Sequence, residues 1–164
     1  HLPEEVHTKR DLAAFERMVK NQMSVSSRLH NIYAKELFVS GYEQDFVKAI
    51  PFFEQSVADD NRAEDEKLEA VCVLAKAYRL LHNDAKFIKY CILSEIGICS
   101  ELYYEIGQYF YEHKDFAEAL RWFDLAANYT MPILNIQYKE KYAVEAMEDC
   151  EKKLGKSKKQ RDTP

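Results

Sequence analysis

Residues 104–126 read YEIGQYFYEHKDFAEALRWFDLA, and among its small residues Gly107, Ala119 and Ala126 stand out as gaps between the rings. The apolar positions recur three and four residues apart, which is the period of a helix face rather than of a strand. "HKD" divides the stretch into two such faces. Asp115 and Glu118 stand at capping-box spacing, so a second helix is predicted over 116–128. Two helices joined by so short a turn must lie antiparallel against each other. Close approach of helix axes needs missing side chains at the contact. The three small residues are therefore predicted to be the contact points, with the surrounding rings filling the space beside them.

The same logic extends along the chain, where period-two alternation never persists. A first helix carries Leu12, Phe15, Val19 and Met23, with Met18 flanking. Ser27 is predicted to cap a helix that starts at Arg28, carries Ile32, Tyr33, Leu37 and Phe38, and stops at Gly41. Asp45 is predicted to cap the next, with Phe46, Ala49, Ile50, Phe53 and Val57 inward and a kink at Pro51. "ADDNRAEDE" reads as a turn with Asn61 and Glu64 as a capping box. The helix of 62–81 then buries Leu68, Val71, Leu74, Ala75 and Tyr78, and that of 85–96 carries Phe87, Ile88, Cys91 and Ile92. Ser100 is predicted to cap the helix of 101–112. Pro132 is placed in the first turn of a last helix that ends at Leu154–Gly155, and the charged tail 156–164 is expected to fray.

Composition fits this reading. The chain has 164 residues, with 13% aromatic and 31% charged, and only four Gly and four Pro. That suits one helix-rich domain over 1–155 that buries about two-thirds of its exposable surface. The net charge of −5 argues against a nucleic-acid surface. No apolar run reaches the ~18 residues of a membrane span. Cys72, Cys91, Cys99 and Cys150 form no C-x-x-C pair and no zinc spacing, so they are expected as reduced core thiols in a cytoplasmic setting.

Tyr103, Ile106, Gly107, Phe110, Phe116, Ala119, Phe123 and Ala126 fall in the frame of the tetratricopeptide repeat, a unit of roughly 34 residues. Leu74, Ala75 and Tyr78 repeat the Ile106, Gly107, Phe110 triplet. Tyr33, Ala34 and Leu37 do so again, with Ala49 and Phe53 in the paired helix. The predicted fold is all-α: about three antiparallel hairpins, with flanking helices, stacked as a short right-handed α-solenoid. In that architecture the first helix of each hairpin lines a concave groove. Its outward positions are Arg28, Asn31, Lys35 and Phe38 in the first repeat, Lys76 and Arg79 in the second, and Tyr104, Gln108 and Tyr111 in the third. A cationic and aromatic groove predicts an extended, acidic peptide or protein partner. The exposed edge of an unfinished array predicts pairing with a second copy of the chain.

The phosphate-binding, dinucleotide-binding, nucleophile-elbow and zinc-protease motifs are all missing, so neither catalytic nor metal residues are assigned and no cofactor is expected in these residues. Asp59–Asp60 reads as a turn, and His30, His82 and His113 as surface or satisfied residues. His1 and His7 lie at the start of the chain.

The stretches RLHNIYAKELFVSG, DFVKAIPFFEQSV and SELYYEIGQYFYEHKDFAEALRWFDLA resemble the helical tail of bacterial family 2 glycosyltransferases over about residues 7–128. Arg28, Tyr33, Ala34, Glu36 and Leu37 match its first motif. Ser100, Glu101 and Gly107 match the second, and Ala119, Leu120, Trp122, Phe123 and Ala126 the third. The resemblance implies a parent enzyme with an N-terminal catalytic domain that uses a nucleotide-sugar donor and a metal-binding Asp-x-Asp. The present residues would then be a non-catalytic module for docking, dimerisation or acceptor recognition, packed on that domain. The alternative is a free-standing scaffold or regulator that binds an extended peptide.

Overall fold

The computed structural model describes the backbone over 4–21, 25–93 and 97–161, and side chains over 12–21, 25–93 and 97–155. Met23, His1 and the side chains of His7 and of the 156–164 tail lie outside these residues. Among the described residues every regular element is helical. The helices gather into two compact units, 1–97 and 98–164.

The first unit holds α1 (Glu4–Lys20), α2 (Ser27–Ser40), α3 (Glu43–Ala58), α4 (Glu64–Leu80) and α5 (Asp84–Ile92). α4 packs on α2, α3 and α5, and it is buried on nearly every side. Ala70 through Ala75, Ala77 and Tyr78 are all in the core, as expected of a helix that is apolar all round. Phe46 and Phe53 on α3 and Leu37 on α2 are 0%, 0% and 1% exposed, each burial contributing about 1.5–3 kcal/mol. Phe15 stacks on Tyr33 with centroids 5.0 Å apart and docks α1.

Several caps differ from expectation by local geometry. Ser26, not Ser27, caps α2 and accepts from Leu29 N at 3.3 Å; Ser27 is instead hydrogen-bonded to Glu66. Asp45 lies inside α3, where its carboxylate accepts from the Tyr42 N–H at 2.8 Å. Asn61 does not cap α4, because its N–H is turned back to Asp59 Oδ1 at 2.9 Å, and the helix starts at Glu64. Gly41 does end α2, its N–H bonding Leu37 O at 2.8 Å. Its φ is −68°, so left-handed freedom is not the reason for glycine. A Cβ there would meet Leu37 O at 2.6 Å and the Phe46 ring at 3.1 Å. α3 runs unbroken through Pro51, which is exposed.

The second unit holds α6 (Ser100–Glu112), α7 (Phe116–Asn128) and α8 (Ala143–Arg161), the last entered through a π-helical turn at Tyr138–Tyr142. α7 packs on both α6 and α8. Gly107 is buried, and Ala119 and Ala126 are each 0% exposed. A Cβ on Gly107 would stand 2.6 Å from Phe123 Cε1 and 2.7 Å from Cδ1. The gap in the opening stretch is thus filled by the Phe123 ring. Cys99, not Ser100, is the N-cap of α6, while Ser100 Oγ is 2.9 Å from Thr130 Oγ1.

Pro132 is not in a helix. It lies in a loop held by the buried Glu101 carboxylate, which accepts from the N–H groups of Ile133 at 3.0 Å, Leu134 at 2.6 Å and Asn135 at 2.8 Å. Lys139 Nζ closes the same loop, donating to Ala127 O at 2.8 Å and Thr130 O at 2.7 Å. The last helix therefore starts later than the proline signals. It also runs past Gly155 to Arg161.

Candidate interaction surfaces

The outward positions predicted on α2 and α4 have different fates. Arg28 and Lys35 are exposed. Asn31 is half-buried and donates to Glu69 Oε1 at 2.6 Å. Phe38 is 4% exposed, its ring edge-on to Phe46 at 5.3 Å, so it belongs to the core and not to a groove wall. Phe38 follows Leu37 on a helix whose inward arc is wide enough to take both. Lys76 is half-buried, with Nζ 5.4 Å from the Phe38 centroid and 4.9 Å from that of Phe46. It is held by ring faces as well as by solvent. Arg79 is half-buried.

In the second unit the three predicted residues gather in one place. Tyr104, Gln108 and Tyr111 of α6 line a cleft of about 310 Å³ together with Phe123, Tyr142, Glu145, Ala146 and Asp149. Gln108 Nε2 donates to Tyr104 OH at 2.6 Å, and Tyr111 OH donates to Asp149. The Tyr104 ring meets Phe123 at 5.3 Å and Tyr138 at 5.0 Å. Lys153 Nζ rests 4.7 Å from the Tyr111 centroid and 5.1 Å from that of Phe116. The π turn brings the Tyr142 ring within 6.4 Å of Tyr104. Glu145, Asp149 and Tyr142 are absent from the sequence-based site, because the helix that carries them was placed without its π turn and their i, i+3, i+7 pattern resembles a solvated face.

The first unit contains a polar network that sequence reading missed. His30 Nδ1 is 2.8 Å from Glu69 Oε2, and His30 Nε2 is 3.0 Å from Ser56 Oγ. His30, Ser56 and Glu69 are 0%, 3% and 6% exposed. The connectivity is that of nucleophile, base and orienting carboxylate, and a cleft of about 320 Å³ opens beside Ser56. The chemistry is blocked by position. Ser56 sits inside α3 and its hydroxyl also bonds Phe52 O at 3.2 Å. Backbone N–H groups in a helix interior are consumed by the helix itself and cannot stabilise an oxyanion. The network instead joins α2, α3 and α4.

Three further pairings fix the electrostatics. Tyr78 OH and Tyr90 OH donate to the same Glu54 oxygen, at 2.5 and 3.1 Å, from rings stacked 5.8 Å apart. Burial, then the Glu54 charge, pushes the Tyr90 phenol up to about 12 and raises that of Tyr78 as well. For Glu66, burial alone would raise the carboxyl, but hydrogen bonds from Ser27 and Arg62 and the Arg62 charge hold it below the ordinary range. Arg62 also donates to Val25 O at 3.0 Å, tying the start of α2 to that of α4. All four cysteines are free thiols. Among the described residues no group of His, Cys, Asp and Glu has the arrangement of a metal site, and no helix is long and apolar enough to cross a membrane. Compared with known proteins, the chain matches no protein-family model, no curated protein and no solved structure.

Proposed function

We propose that this chain is a non-catalytic, tetratricopeptide-like interaction module and the helical region of a family 2 glycosyltransferase, serving docking, pairing or acceptor recognition. The observation that carries the module reading is a turn that recurs about one repeat length further on. α4 passes into α5 through His82, at φ 55°, with Asn83 N bonding Tyr78 O at 3.0 Å. α6 passes into α7 through Lys114, at φ 60°, with Asp115 N bonding Phe110 O at 2.9 Å. Asn83 and Asp115 then cap their helices in the same way, through Lys86 N and Glu118 N, each at 3.2 Å. The turns fall in the register set by Leu74, Ala75 and Tyr78 against Ile106, Gly107 and Phe110. The glycosyltransferase assignment rests on the sequence motifs; Ser100–Glu101 acquires a physical reason in the loop that it holds.

The test is direct. The protein is screened against an array of extended peptides with no charge bias, and binding to none of them ends the module reading. The full natural polypeptide is assayed for nucleotide-sugar hydrolysis with and without a divalent metal. Activity supports the enzyme parent, and a full polypeptide without it returns the chain to the free-standing scaffold. Self-pairing is read by light scattering at two concentrations, with a rise toward twice the monomer mass expected.

A further inference from the structure

The cleft between α6 and α8 has the wrong charge for the acidic partner that the sequence implies. Its walls are rings, from Tyr104, Tyr111, Phe123 and Tyr142, and its ionisable lining groups are Glu145 and Asp149. Glu145 is exposed and pairs with no described cation; Asp149 is half-buried, accepts from Tyr111 and has the Lys153 charge beside it, so Glu145 is the carboxylate left for a ligand. Ring faces carry negative potential and attract ammonium and guanidinium groups, and adjacent carboxylates add to that attraction. The wall already accepts one cation, since Lys153 rests on the Tyr111 ring. At about 310 Å³ the cleft is at the small end of ligand sites, ample for one long cationic side chain.

We propose that this cleft binds the lysine or arginine side chain of an extended basic peptide, the cation seated against the Tyr104 and Tyr142 rings and paired with Glu145 beside Asp149. Charge complementarity selects the occupant. The proposal rests on the interaction-module reading only in making a peptide, rather than a free amine, the bearer of the cation.

The experiment compares, by calorimetric titration, a short peptide alternating Lys with Ser, its Glu-for-Lys counterpart, and n-butylammonium. The Lys peptide is expected to bind and the Glu peptide not. Glu145→Gln, at an exposed site that leaves the packing intact, is expected to weaken the Lys peptide by about fivefold, as does raising the salt. Tyr142→Leu is expected to weaken it by a similar factor, and Tyr142→Phe to restore it, since the ring face is kept. Preference for the Glu peptide, or equal affinity in wild type and Glu145→Gln, overturns the proposal. A hit for any acidic peptide in the unbiased array would at the same time leave the module reading standing. Butylammonium binding as tightly as the Lys peptide overturns the choice of a peptide.

Discussion

A methyl group added at position 107 would be driven into the Phe123 ring, which is 0% exposed and hemmed by Tyr104 and Ala119. Helix propensity favours Gly107→Ala by about 1 kcal/mol. Overpacking against a ring that has nowhere to go costs about 1–3 kcal/mol. The steric effect wins, so urea denaturation should show net destabilisation of about 1 kcal/mol, where an exposed helical glycine would show a gain. His30 poses the opposite problem. His30→Ala removes the group that bonds both Glu69 and Ser56 and leaves a buried carboxylate with Asn31 alone, a loss of about 3–5 kcal/mol. Changing both partners, His30→Leu with Glu69→Leu, should cost less than the sum of the single losses. An additive double-mutant cycle would dissolve the network as a unit.

Among the elements, the turns are the most informative. His82 and Lys114 are non-glycine residues in the left-handed region, which costs about 1–2 kcal/mol that glycine avoids. Glycine also loses about 0.4–1 kcal/mol through the greater freedom of the unfolded chain. His82→Gly and Lys114→Gly should therefore each raise stability by about 0.5–1 kcal/mol and by similar amounts, read from thermal unfolding. Unequal responses would mean that the two turns are not equivalent. The helices and most inward faces were legible because period and burial go together: Leu68, Val71, Leu74, Ala75 and Tyr78 are all buried as the spacing indicates. Cap positions slipped by one to three residues: at α2 two adjacent serines compete, while α3, α4 and α6 have Tyr42, Ala63 and Cys99 at their N-caps, whose side chains make no cap bond, and the polar residues expected there bond elsewhere. The His30 network was illegible, since its members are far apart in sequence and no pattern links them. On the candidate surface the sequence located Tyr104, Gln108 and Tyr111, but the facing carboxylates depend on a helix whose start is fixed by a long-range bond from Glu101. Phe38 was misplaced because its helix buries a wider arc than the repeat frame allots.

At the scale of the whole molecule, the response to pH follows from groups whose protonation differs between the folded and unfolded states. The phenols of Tyr78 and Tyr90 are raised above the unfolded value of about 10 by burial and by Glu54, to about 12 for Tyr90. The folded state therefore favours their protonated form. That stability is fully present below about pH 10 and is lost as pH rises through the folded values. Urea midpoints at about pH 9 and about pH 11.5 should show the drop, with phenolate absorbance lagging behind that of free tyrosine, and Glu54→Gln should shrink it. Glu66 has the opposite sign. Its carboxyl is held low in the fold, so its contribution is present above the unfolded value and disappears as acid protonates it.

The Glu101 carboxylate changes what counts as a removable piece of this protein. Three amides of the stretch after α7 are satisfied by a residue at the start of α6, so neither segment is complete alone. Removing the chain beyond Asn128 would leave the Glu101 carboxylate without its three donors, and grafting the segment from Ile133 through α8 onto another protein without Ser100 and Glu101 would leave three amides unsatisfied. The transplantable block is defined by this carboxylate and the loop it holds, and its borders fall in the middle of what helix boundaries alone would suggest.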